Sequence, residues 1–85
     1  MIRGHLEYRN EELGIRVSVK WMRLKEGAKM EYLMSGKKMD CILRYHKDRG
    51  NWYLAGLDGE VLRQGKQLHN ALVMIGEGDY YNALK

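Results

Sequence analysis

The chain lacks proline and phenylalanine and has a single cysteine, Cys41, among its 85 residues. One cysteine excludes an internal disulfide framework, so core packing alone must stabilise the fold. No apolar run approaches the roughly 18 residues that span a membrane, and Arg3, His5 and Glu7 interrupt any signal-peptide core. We therefore expect a cytoplasmic protein with no membrane partner.

The residues that are present suffice for one folded domain. Hydrophobic residues make up 45% of the chain and charged residues 31%, with two Trp and six Tyr, which is richer than a disordered segment. A chain of this length has room for one compact domain. It buries only about 60–65% of the surface that its unfolded form exposes, so dimerisation is an open possibility.

Ten glycines divide the chain into short segments, which is typical of strands rather than long helices. Residues 15–21 and 39–45 alternate apolar and polar side chains with the two-residue period of a half-buried strand. The turn residues at 47–50 precede an aromatic segment and predict a β-hairpin over residues 38–57. Shorter strands are expected at 5–9 and 29–34, and at 60–64 after the turn signal Asp58-Gly59.

This spacing predicts an all-β fold: a small, five- or six-stranded SH3-like barrel of residues 1–67. Residues 68–85 form a C-terminal extension that contains a short helix or strand. Leu68, Leu72 and Ile75 fall on one helical face, which favours the helix. Burial of the extension's five consecutive apolar residues favours a homodimer contact over a lid on the barrel; they are Ala71, Leu72, Val73, Met74 and Ile75.

Charge is concentrated in the centre of the chain. Residues 16–49 hold ten Lys and Arg against four acids, whereas residues 1–15 and 50–85 each sum to −1. Clustered cations with an exposed aromatic ring are typical of nucleic-acid binding, although they are also typical of a solvated sheet face over an aromatic core. Alternation directs Trp21 and Trp52 inward and leaves Tyr53 as the better exposed ring. The candidate nucleic-acid-binding residues are Lys37, Lys38, Arg44, His46, Lys47, Arg49 and Tyr53.

No motif in the sequence predicts catalysis, a metal site or a cofactor. The histidines, Cys41 and Asp40 do not have the paired spacing that places two ligands on one metal. Cys41 lies on the alternating apolar face, where a thiol is a small core residue rather than a nucleophile. The adjacent carboxylates at 11–12 and the pair Glu77 and Asp79 are expected in solvated loops. We therefore expect that the protein is not an enzyme.

Two stretches carry a family resemblance. Residues 1–8 (MIRGHLEY) and residues 51–59 (NWYLAGLDG), followed by Leu62 and Gly65, resemble short single-domain proteins of unknown function from low-GC Gram-positive bacteria and their mobile elements. The resemblance covers about residues 1–67 and is most specific in the Trp-Tyr-Leu-x-Gly-Leu motif. It implies a small β-rich domain and a mobile-element context, and it implies no activity or site residue.

These patterns predict a non-enzymatic binding module that uses the basic hairpin on nucleic acid. The alternative is a protein-interaction module, for example an adaptor or an inhibitor of a host factor, that uses a sheet edge or the apolar C-terminal residues. The two functions differ in their response to salt, because phosphate binding weakens steeply with ionic strength and apolar burial does not.

Overall fold

The computed structural model describes all 85 residues and contains eight strands, one 3-10 turn and one short helix. The elements are β1 (Ile2–Arg9), β2 (Glu12–Val17), β3 (Lys20–Arg23), β4 (Lys29–Met34), β5 (Lys37–His46), β6 (Asn51–Gly56), β7 (Val61–Gln64), the 3-10 turn (Gly65–Leu68), β8 (Leu72–Ile75) and α1 (Glu77–Ala83). The fold is therefore mostly β, as the sequence predicts. No helix in the structure has the length and apolar character needed to cross a membrane.

The strands form one open antiparallel sheet in the order β3-β2-β1-β8-β4-β5-β6-β7. The expected five- or six-stranded SH3-like barrel is wrong, because the sheet has eight strands and two edges, β3 and β7. Tyr8 of β1 nevertheless donates its hydroxyl to the carbonyl of Gly65, directly after β7, although four strands separate β1 from β7 in the sheet. The sheet must therefore be strongly curved, with the core on its concave face and an outer, convex face exposed to solvent.

Residues 72–75 form a central strand instead of the short helix favoured by the sequence. β8 is hydrogen bonded between β1 and β4, with Val73 opposite Gly4 on one side and Tyr32 on the other. Ala71, Val73 and Ile75 are buried in the core. The chain itself thus covers three of the five apolar residues assigned to a homodimer contact, while Leu72 and Met74 are half-buried. A domain boundary after residue 67 would divide this single sheet.

The alternation of the sequence did not predict the turn between β2 and β3. Residues 15–21 alternate regularly, yet the chain reverses at Ser18 and Val19, where Ser18 has φ 57° and Val19 is 89% exposed. A two-residue turn preserves the alternation of the sequence while reversing the strand, so the period of two does not reveal it. Trp21 consequently lies opposite Arg16 on the outer face and not in the core.

The hairpin predicted over residues 38–57 is confirmed as β5 and β6. Leu43 pairs with Leu54, and both side chains are buried, whereas Arg44 is exposed. The register of the hairpin therefore follows the alternation of the sequence. Trp52, expected as a central core residue, is half-buried and packs at the margin of the core.

Candidate functional site

Three predicted site residues meet on the outer face of the hairpin. Arg44 on β5 lies directly opposite Tyr53 on β6, and His46 follows two residues further along the same face. The rings of His46 and Tyr53 lie 6.3 Å apart between centroids, at an interplanar angle of 55°. Side chains opposite each other in an antiparallel pair are close neighbours, so the hairpin holds these residues as one group. Nδ1 of His46 is buried and has no hydrogen-bond partner.

The turn of the hairpin adds two exposed cations to this group. Lys47 and Arg49 are both exposed, with Asp48 between them. Gly50 closes the turn with φ 63° and donates its N–H to the carbonyl of His46 at 2.8 Å. The positive φ at residue 50 favours glycine, because a Cβ is strained in this region. We define the basic hairpin surface as Arg44, His46, Lys47, Arg49 and Tyr53.

The cations of the basic hairpin surface form no salt bridge. Arg44, Lys47 and Arg49 have no carboxylate within 4.0 Å, and their side chains donate to no protein acceptor. Their charge is therefore available to a ligand.

Three arginines around β1–β3, in contrast, form salt bridges with carboxylates. Nε of Arg9 lies 2.7 Å from Oε2 of Glu7, and Nε of Arg16 lies 3.4 Å from Oε1 of the same carboxylate. Nη1 of Arg23 lies 2.9 Å from Oε1 of Glu12. The hydrogen bond from Arg9, helped by the charge of Arg16, lowers the pKa of the Glu7 carboxyl below its ordinary value. These three salt bridges neutralise charge within the protein.

Lys37 and Lys38 do not join the other predicted site residues. They begin β5, and Lys38 lies eight residues before His46 in the same strand. At the usual rise per residue of an antiparallel strand this separation is about 27 Å. The seven-residue site predicted from the sequence therefore divides into the basic hairpin surface and a separate lysine pair at the other end of β5.

An aromatic groove lies on the other side of the hairpin turn. Tyr45 and Trp52 are opposite each other on β5 and β6, and their rings meet edge to face with centroids 5.0 Å apart. Tyr8 lies on another wall of this groove, which has a volume of about 670 Å³. The remaining lining residues are Glu11, Gly50, Asn51, Gly65 and Lys66.

Sequence reasoning did not identify this groove. The hairpin register implies the pair of Tyr45 and Trp52 once the turn at residues 47–50 is recognised. Tyr8 reaches the groove because its hydroxyl donates to the carbonyl of Gly65 at 3.0 Å, and its backbone N–H donates to Nδ1 of His69 at 3.1 Å. Both contacts join residues far apart in the chain, and no local pattern reports them.

A second cleft of about 440 Å³ lies between β4, β5 and the residues around β8. Its apolar lining includes Ile42, Met74 and Leu57, and the Leu57 side chain is 76% exposed. Glu31 and Asp40, which pair across β4 and β5, also line it. This cleft has an apolar floor and an acidic margin, which is the opposite charge to the basic hairpin surface.

Cys41 is buried beneath the hairpin, and its Sγ lies 3.4 Å from the carbonyl oxygen of Met30 as a hydrogen-bond donor. Burial raises the pKa of the thiol to about 12. The thiol is therefore protonated at neutral pH and is a poor nucleophile. No group of three or more His, Cys, Asp and Glu side chains is arranged to hold a metal ion.

Comparison of the chain with protein-family models, with curated proteins and with solved structures finds no match.

Proposed function

We propose that this protein binds single-stranded nucleic acid through the basic hairpin surface. The observation that carries the proposal is the group of three unpaired cations, Arg44, Lys47 and Arg49, beside the rings of His46 and Tyr53. Cations that have no partner in the protein bind phosphates by releasing the counterions of the nucleic acid. An adjacent aromatic ring gives a base a surface on which to stack.

In this proposal the protein is a binding module and not an enzyme. Its one thiol is buried and protonated, and Glu7 on β1 and Glu12 on β2 are held in salt bridges. The resemblance to proteins of Gram-positive mobile elements suggests that the nucleic acid belongs to such an element.

The test measures the fluorescence anisotropy of a labelled 20-nucleotide single strand at several salt concentrations. Three phosphate contacts predict a slope of log K against log salt of about −2, since single strands give roughly −0.7 per contact. Affinity should therefore fall about 15-fold between 50 and 200 mM salt. Absence of binding at 50 mM salt and 100 μM protein would overturn the proposal.

Two triple variants provide a matched comparison. Arg44→Gln/Lys47→Gln/Arg49→Gln removes the hairpin cations, and Lys20→Gln/Lys37→Gln/Lys38→Gln removes three exposed lysines elsewhere. Each variant lowers the formal net charge from +4 by three units. We expect the hairpin variant to lose at least tenfold in affinity and most of its salt slope, with less than threefold loss in the control. Equal losses would show that only net charge matters, which would contradict the proposed site.

A protein partner is the second candidate, and exposed apolar residues at the other end of the hairpin favour it. Leu57 is 76% exposed, and Val61 on the edge strand β7 is 48% exposed. Unpaired edge strands and apolar patches are common docking surfaces. An adaptor or inhibitor that docks here on a host protein would bind with little dependence on salt. Leu57→Ser/Val61→Ser would weaken such a complex and leave nucleic-acid binding unchanged.

A further inference from the structure

The aromatic groove has the features of a pocket for a flat, neutral group. Trp52 and Tyr45 form one wall and Tyr8 another, around a volume of about 670 Å³. The hydroxyl of Tyr8 is bonded to Gly65, and its ring stacks on His69 at 6.4 Å with an interplanar angle of 14°. Tyr8 is therefore held in place before a ligand arrives. Aromatic walls in fixed positions favour stacking with a planar ring.

The amide and charged side chains of the groove have no hydrogen-bond or salt-bridge partner within the protein. The amide of Asn51 makes no hydrogen bond within the protein, and neither Glu11 nor Lys66 forms a salt bridge. An amide presents a donor and an acceptor side by side, which matches the edge of a nucleobase. One carboxylate and one ammonium give the groove no net formal charge, so it is unsuited to hold a phosphate by itself.

Glu11 occupies this groove at a conformational cost. It has φ 68° at the second position of the β1–β2 turn, after Asn10 with φ 51°. Turns with two positive φ angles strongly favour glycine at this second position. A glutamate there is strained, because its Cβ crowds the backbone in this region. The turn places the exposed Glu11 at the groove, where its carboxylate can accept a hydrogen bond from the amino group of a base.

The groove adjoins the turn that carries two cations of the basic hairpin surface, while Arg44, His46 and Tyr53 lie on the opposite face of the hairpin. Gly50 and Asn51 line the groove, and Arg49 and Lys47 precede them in the same turn. A strand whose phosphates contact these cations is therefore within reach of the groove. A neutral peptide would make no use of the adjoining cations, which favours a nucleic acid as the occupant.

We propose that the aromatic groove takes one unpaired nucleobase, stacked on Trp52, from the strand that the basic hairpin surface binds. This inference rests on the proposed function and adds a preference for single strands, because a base within a duplex is already stacked and paired. Stacking of one base on an aromatic side chain is worth about 1–3 kcal/mol. We therefore expect the groove to contribute about tenfold or more in affinity.

The experiment uses the Trp21→Phe variant, which leaves Trp52 as the only tryptophan. Anisotropy of a labelled strand reports binding, and tryptophan emission reports the groove. A normal 10-nucleotide strand should quench Trp52, whereas a 10-nucleotide abasic strand with the same phosphates should bind about tenfold more weakly and leave the emission unchanged. A duplex of the same length should not quench Trp52.

A second variant, Trp52→Leu, tests the groove without the fluorescence signal. It should lose most of the preference for the normal over the abasic strand, while Trp52→Phe should recover part of that preference because it restores an aromatic face. Circular dichroism verifies that both variants are folded. Tyr81→Leu, which alters a 75% exposed ring on α1 outside both surfaces, is the control and should retain the preference for the normal strand.

The outcomes separate this inference from the proposed function. Absence of anisotropy change with any strand contradicts the proposed function. Tight binding in which normal and abasic strands are equivalent, or in which Trp52 is not quenched, overturns the base pocket alone. Quenching by a decaproline peptide and not by the strand would assign the groove to proline-rich peptides and would also overturn it.

Discussion

The two tryptophans lie in regions that use similar residues for different purposes. Trp21, on β3, covers Gly14 and donates its indole N–H to the carbonyl of Glu7 at 2.9 Å, with the guanidinium of Arg9 5.5 Å from its ring centroid. Trp52, on β6, has no hydrogen-bond partner for its indole N–H and faces a groove. The Trp21 ring therefore stabilises the fold, and the Trp52 ring is available to a ligand.

The charges of the two regions differ in the same way. Around β1–β3, Arg9, Arg16 and Arg23 are paired with Glu7 and Glu12, whereas the cations of the hairpin surface are unpaired. Exposed salt bridges contribute little to stability. The main effect of the pairing is therefore that these arginines are less available to bind a phosphate. Composition alone therefore does not locate a binding surface, because a ligand can use only the charged groups that have no partner inside the protein.

The largest expected effect distinguishes the two tryptophans by stability. Trp21→Ala should lower the free energy of unfolding by about 3 kcal/mol, because it removes a half-buried ring and leaves a carbonyl without its donor. Trp52→Ala should cost about 1–2 kcal/mol, since the ring packs only at the margin of the core. Urea denaturation measures both values. A larger loss of unfolding free energy for Trp52→Ala than for Trp21→Ala would contradict the assignment of Trp21 to the fold and of Trp52 to ligand binding.

A second pair of variants tests the close packing beneath Trp21. An added Cβ at Gly14 would meet the Trp21 ring and lie 2.6 Å from the backbone oxygen of Met22. Gly14→Ala should therefore cost about 2 kcal/mol through overpacking. At Gly56 on the hairpin the nearest atom is Oδ1 of Asp58, at 3.1 Å, and this side chain can move. Gly56→Ala should cost less than about 0.5 kcal/mol in the same thermal or urea measurement.

The buried side of the hairpin, unlike its outer face, should respond to high pH. The folded state keeps the Cys41 thiol protonated up to a pKa of about 12, against an ordinary value of 9.0. Above pH 9 the unfolded thiol ionises and the folded one does not, so stability falls as the pH rises toward 12. We expect a loss of about 1 kcal/mol by pH 10 in urea denaturation, absent in Cys41→Ala. Equal pH profiles for the two proteins would show that the thiol is not buried.

The smallest expected effect concerns the paired charges around β1. Because Arg9 lowers the pKa of Glu7, the carboxylate contributes stability above its ordinary pKa of 4.5, and this contribution is lost as the pH falls through the lowered value. Glu7→Gln should therefore lower the melting midpoint slightly at pH 7 and leave it unchanged at pH 2. Glu60→Gln, which alters a carboxylate without a salt bridge, is the control. A difference that persists unchanged at pH 2 would exclude the ion pair as its cause.

The hairpin was predictable because its signals are local. The turn residues at 47–50 lie between two alternating segments, and the buried Leu43 and exposed Arg44 follow directly from that alternation. The β2–β3 turn was missed because it lacks glycine and preserves the period of two. The position of Trp21 was missed for the same reason, since the reversal at Ser18 and Val19 moves the residues after it onto a different strand.

Local alternation is enough to predict which side chains of the hairpin point toward the core and that cations cluster near its turn. The three-dimensional structure was needed to show that β8 lies between β1 and β4, that Tyr8 and Trp52 line one groove, and that Glu7 pairs with both Arg9 and Arg16. The physical reason is the range of the interactions. Alternation arises within one strand. Strand order depends on hydrogen bonds between segments far apart in the chain, and a local pattern carries no information about those bonds.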